Sequence, residues 1–167
     1  MEEVVAGLLT RNNSTISAAE SCTGGLLAQR LTSIAGSSSY FLGSVVSYSN
    51  ELKTAWADVP PELIQAKGAV SSEVAIALAE GIRRQVGSTL GVGITGIAGP
   101  SGGSDEKPVG TVHIALSHAG GVKERGVLFP GDREAVRWHA SQLALDLVRI
   151  HFLYNGGEPP SRVAKRV

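Results

Sequence analysis

The run TISAAESCTGG, Thr15 to Gly25, decides the fold. Thr15 to Ala19 is β-branched or small throughout, the composition of a buried strand. Glu20 to Gly25 is polar and closes on two glycines, the composition of a turn. Leu26, Leu27, Leu31 and Ile34 then recur at helical spacing. Strand, short polar turn and helix open an α/β unit, with Ser21 where strand hands over to helix. Upstream, Val4, Val5, Leu8 and Leu9 make one face of a short helix. Downstream, a second strand over about Leu42 to Tyr48 empties into Ser49, Asn50 and a short helix carrying Lys53 and Trp56. Pro60 and Pro61 start another helical turn, at positions where proline is tolerated.

Val74, Ala75, Leu78, Ala79, Ile82 and Val86 mark an amphipathic helix with Ser71 or Ser72 as its N-cap. TLGVGITG, Thr89 to Gly96, reads as a buried central strand whose small residues allow close approach of neighbouring backbone. Ile97 to Pro108 is a Gly, Pro and Ser-rich loop. Gly110 to Ser117 alternates as a strand, and Ala119, Gly120 and Gly121 turn it into a partner over Val122 to Phe129, an antiparallel hairpin. A last long helix opens at Asp132. The expectation is an α/β protein, a three-layer α/β/α sandwich with a mixed, mostly parallel sheet of about five strands and five or six helices. Residues 1–155 form its one domain, and residues 156–167 read as a disordered tail. Such sheets bind ligands outside the strand ends, where three polar, glycine-bearing loops lie here, after strands one, two and three.

The chain has 167 residues, enough for one domain. Lys plus Arg equals Asp plus Glu at 15 each, which leaves no basic field for nucleic acid. One cysteine excludes an internal disulfide framework and fits a reducing compartment. The apolar runs are too short for a membrane span, and the first residues are acidic where a secretory signal is basic. A cytoplasmic location follows as an expectation, with no membrane or nucleic-acid partner.

Ser21 offers a hydroxyl on a strand–turn–helix corner, and the backbone amides after it, through Thr23, Gly24 and Gly25, can hold an oxyanion or a phosphate. Ser21 or Thr23 can equally cap the helix, the commoner use of such residues. A serine nucleophile needs a base. The four histidines, His113, His118, His139 and His151, all lie in the C-terminal third and outside polar loops, so Lys53 is the better candidate, with Tyr48 beside it. That role requires a lysine held neutral by burial or nearby cations; on an open helix face Lys53 is merely solvated. Thr95 ends the third strand with a hydroxyl to offer. Arg133 and Arg137, one helical turn apart, suit a phosphate clamp as well as they suit a solvated basic face. Ligand spacing for a metal and a Walker A sequence are both missing, so neither metal nor cofactor is expected.

The segments AESCTGG (19–25), AGSS (35–38), YSNELK (48–53), GAVS (68–71), GITGIAGPSGGSDEKPVGTV (93–112) and FPGDREAVR (129–137) together resemble the CinA C-terminal domain family, which includes stand-alone nicotinamide mononucleotide deamidases. The resemblance runs from about Glu3 to Tyr154. It implies hydrolysis of the carboxamide of nicotinamide mononucleotide to nicotinic acid mononucleotide and ammonia, with Ser21 as nucleophile, Lys53 as base, Tyr48 as catalytic partner and Thr95 in the wall. It also implies that Ser38 and the Arg133/Arg137 pair bind the nucleotide and that the protein is a homo-oligomer, a dimer. Longer family members carry a separate nucleotide-processing domain, and the activity of that half is not transferred. A non-catalytic nucleotide-binding module linked to competence or DNA damage is the alternative; it needs the glycine loops and arginines but no Ser, Tyr and Lys set.

Overall fold

The computed structural model describes residues 1–154. Along it run α1 (Glu2–Arg11), β1 (Ile16–Glu20), α2 (Leu26–Thr32), a single 3-10 turn (Ser37–Ser39), β2 (Phe41–Val46), α3 (Asn50–Ala57), α4 (Pro61–Lys67), α5 (Ser72–Val86), β3 (Leu90–Gly96), β4 (Thr111–His118), β5 (Gly121–Leu128) and α6 (Arg133–Leu153). The disordered tail expected over 156–167 falls outside the described residues.

The five strands lie in the order β2-β1-β3-β4-β5. β1 pairs in parallel with both β2 and β3, while β4 runs antiparallel to β3 and β5 antiparallel to β4. The first three strands therefore end on one edge of the sheet, and the loops that follow them meet there. On one face α1, α2 and α6 cover the sheet; on the other α5 crosses it, with α3 and α4 packed outside α5.

β3 shows why the layers stack this way. Leu90, Val92 and Ile94 point into the core beneath α1, α2 and α6, and all three are buried. The intervening Gly91 and Gly93 face α5, where an added Cβ would run into the carbonyls of Ala79 and Ala75. Period-two alternation of branched and absent side chains seats a helix backbone directly on one face of the strand. A similar contact recurs one layer out: Gly81 of α5 receives the carbonyl of Ala57, the last residue of α3.

The helix starts follow their sequence signals except at α2. Ser71 accepts from Val74 N at the head of α5, Ser49 from Leu52 N at α3, and Asp132 from Ala135 N at α6. At α2 the cap reading of Ser21 or Thr23 is corrected. Gly25 takes the N-cap position in the left-handed region, and the amides of Gly25, Leu27 and Ala28 donate to the carboxylate of Glu20 at 3.1, 3.0 and 2.8 Å. A fully buried carboxylate at the end of β1 reaches the amides that a short hydroxyl would otherwise satisfy, and the charge suits the helix dipole. A second clasp joins three helices. Buried Arg30 of α2 donates to Glu2 of α1 at 2.6 Å and to Ser141 and Gln142 of α6, both at 2.7 Å, with its guanidinium 4.1 Å over the Trp138 ring.

Candidate active site

β2 stops at Val46, two residues short of the expected Tyr48, and the reason is chemical. The carbonyls of Ser47 and Tyr48 turn away from the ladder and accept from Lys53 Nζ at 3.0 and 3.2 Å. The same nitrogen lies 3.3 Å from Ser21 Oγ. Lys53 is only 2% exposed, and Ser21 8%. Burial holds the Lys53 pKa below its ordinary value, against the opposing pull of the Glu51 carboxylate. A neutral amine has two N–H groups and one lone pair. As an ammonium Lys53 Nζ donates to all three oxygens, the two carbonyls and Ser21 Oγ; a neutral amine on the same partners would keep its N–H groups on the carbonyls and turn its lone pair to the hydroxyl. The surface-lysine reading is thereby overturned.

These groups line a cavity of about 350 Å³ whose wall includes Ser21, Tyr48, Lys53, Thr95, Gly99 and Arg133. Thr95 is buried and donates to Ala69 O at 2.7 Å, which ties β3 to the loop before α5. Tyr48 is divided between two partners. Its carbonyl holds Lys53, while its exposed ring sends its hydroxyl to Arg133, which donates to it at 2.9 Å. Arg133 also donates to Gly99 O at 2.9 Å. Arg137 donates twice to the Thr23 carbonyl, at 3.2 and 2.9 Å. Beyond Arg133 opens a second cavity of about 640 Å³, lined by Leu26, Asp132, Arg133, Glu134, Arg137 and Trp138.

Not every expected residue arrives. Ser38 is exposed in the turn ahead of β2, and Phe41 pairs with Ile16 at the start of β1. Ser21 follows the other end of that strand, so the length of β1, roughly 16 Å at about 3.3 Å per residue, separates Ser38 from the cavity. The turn amides are mostly spoken for: Gly24 N donates to Ser21 O and Gly25 N to Glu20. Among the described residues the amides of Cys22 and Thr23 have no acceptor outside their own residues, and Thr23 Oγ1 and Ser47 Oγ are buried without partners. Cys22 is a buried thiol, its pKa pushed up to about 12 chiefly by burial, so it stays protonated beside the serine. Glu20, unassigned in the sequence reading, organises this turn. Its signal was a carboxylate at the end of an otherwise uncharged strand.

No group of three or more metal-binding side chains forms among the described residues, and none of their helices is long and apolar enough to cross a membrane. A family model described as the CinA C-terminal domain matches residues 1–152. A CinA-like protein of Koribacter versatilis is 58% identical over 149 residues, 89% of this chain and 36% of that protein. One from Geotalea uraniireducens is 51% identical over 153 residues, 92% of this chain and 36% of its own. The chain thus spans about a third of the curated relatives it matches. The crystal structure of the competence/damage inducible protein CihA from Agrobacterium tumefaciens superposes with a TM-score of 0.85 at 38% identity, covering 88% of this chain and 92% of that one. That of a CinA superfamily protein from Klebsiella pneumoniae gives 0.88 at 32%, covering 92% and 96%.

Proposed function

Because this chain belongs to the CinA C-terminal domain family, we propose that its cavity hydrolyses the carboxamide of nicotinamide mononucleotide, giving nicotinic acid mononucleotide and ammonia. The observation that carries the reading is the 3.3 Å approach of a buried Lys53 to Ser21. A helix lysine with no catalytic task has no reason to bury its nitrogen against two carbonyls and a hydroxyl, since burial without use costs stability.

In the scheme this supports, Lys53 takes the Ser21 proton as Oγ attacks the amide carbon. The Cys22 and Thr23 amides donate to the tetrahedral oxygen, a contribution of about 2.7–4 kcal/mol per donor in comparable sites. The Lys53 ammonium returns its proton to the departing nitrogen, and ammonia leaves an ester on Ser21. Water, deprotonated by the same amine, then releases the acid and restores the hydroxyl. Arg133 and Arg137 stand where the remote phosphate would be gripped. Anchoring it there turns binding energy into orientation of the amide.

The test is ammonia release from nicotinamide mononucleotide by the purified chain. Ser21→Ala and Lys53→Met should each lose about a thousandfold or more in kcat. Lys53→Arg should not restore it, because a guanidinium does not deprotonate in a protein. Equal turnover by wild type and Ser21→Ala would sink the nucleophile. Binding of the mononucleotide without ammonia release would favour the non-catalytic nucleotide-binding module.

A further inference from the structure

Arg133 stands in the wall between the two cavities and in each of them. Both of its terminal nitrogens are engaged, one by the Gly99 carbonyl and one by the Tyr48 hydroxyl. Both acceptors are neutral, and among the described residues Arg133 forms no salt bridge. Arg137 keeps one terminal nitrogen uncommitted to the Thr23 carbonyl. A phosphate dianion entering the larger cavity meets two guanidinium groups whose present partners are uncharged oxygens, together with the carboxylates of Asp132, whose side chain accepts from Ala135 N, and Glu134. The present bonds already have a charged donor, and a phosphate adds an opposite charge and a bidentate fit that neither neutral oxygen has, so the exchange runs towards the phosphate.

We propose that Arg133 is a specificity-determining latch: without a phosphate it ties the Tyr48 hydroxyl to its guanidinium, and a substrate phosphate draws the guanidinium off and frees the hydroxyl for the chemistry at Ser21. The proposal rests on the amidase reading for its consequence in rate, but the latch is a property of the ligand-free structure. Its chemistry sets the substrate class as amides carrying a terminal phosphate, selected in the chemical step as well as in binding. Tyr48 is well placed to respond. Its backbone carbonyl is fixed on Lys53, so freeing the ring moves a phenol about an anchored main chain, next to the nucleophile.

The test labels the tyrosine rings with carbon-13 and titrates the protein with inorganic phosphate. The Tyr48 signal, assigned through Tyr48→Phe, should shift in wild type and stay put in Arg133→Gln. Tyr40 is the internal control, because its buried hydroxyl donates to Leu31 O at 2.7 Å. In turnover, nicotinamide riboside, which lacks the phosphate, should show a kcat roughly ten- to a hundredfold below that of the mononucleotide. Added inorganic phosphate should raise the riboside kcat. In Arg133→Gln the kcat gap should close while KM for the mononucleotide rises. A Tyr48 signal indifferent to phosphate overturns the latch, and so does discrimination confined to KM. If wild type hydrolyses neither amide, the amidase reading falls and the tyrosine titration alone decides the latch.

Discussion

Lys53 carries the pH dependence of the proposed chemistry. Its amine, not its ammonium, accepts the serine proton, and burial lowers the pKa that separates the two. kcat/KM should therefore climb with pH through that lowered value and level off below the 10.5 of an ordinary lysine. Glu51 favours the ammonium, so Glu51→Gln should move the rising limb to lower pH while leaving Ser21 in place. A limb that stays in place, in initial rates of ammonia release, would remove Lys53 as the titrating base. The residue types at 21, 48, 53, 95, 133 and 137 were legible in the sequence. The burial that lowers the Lys53 pKa was not, because it depends on where β2 stops and which carbonyls turn inward. Neither was the pairing of Tyr48 with Arg133, since 85 residues of chain separate the two groups.

At the scale of elements, the sheet's tolerance differs between its faces. Gly93→Ala drives a methyl into the Ala75 carbonyl and against Leu78 of α5, backbone that cannot rotate away. The cost should be about 3 kcal/mol or more, read as a lower midpoint in urea unfolding. Val92→Ala, on the opposite face of the same strand, should instead lose packing with no clash. The glycine alternation in TLGVGITG already announced close backbone approach, and the strands, caps and hairpin were readable for the same reason: each is dictated by neighbours in sequence. Ser38 shows where that reading stops. It stands three residues before the first residue of β2 and nine before Ser47, the first of the loop that follows, yet those two places lie at opposite ends of a strand. At α2 the local rule of a hydroxyl cap lost to a longer-range carboxylate.

Across the whole molecule, the Arg30 clasp makes stability depend on acid. The Arg30 hydrogen bond, outweighing partial burial, lowers the Glu2 pKa from 4.5 to about 2. A depressed carboxyl pKa contributes stability above the unfolded value, and that contribution is lost as pH falls from about 4.5 towards 2. With Glu2 23% exposed, solvent screening leaves about 1–2 kcal/mol of it. Glu2→Gln should lose that amount at pH 7 in denaturant titrations and match wild type near pH 2; a constant gap at both pH values would assign the loss to packing instead. Gly81 links this architecture to the chemistry. It lines neither of the two cavities described above, yet it is the seat of Ala57, one helical turn beyond Lys53 on α3. A methyl at that position would lift the end of α3 and carry the amine with it. In a genetic screen, an allele at position 81 would therefore lower the amount of folded protein as well as the activity of what remains, a surface-remote lesion that strikes assembly and aim together.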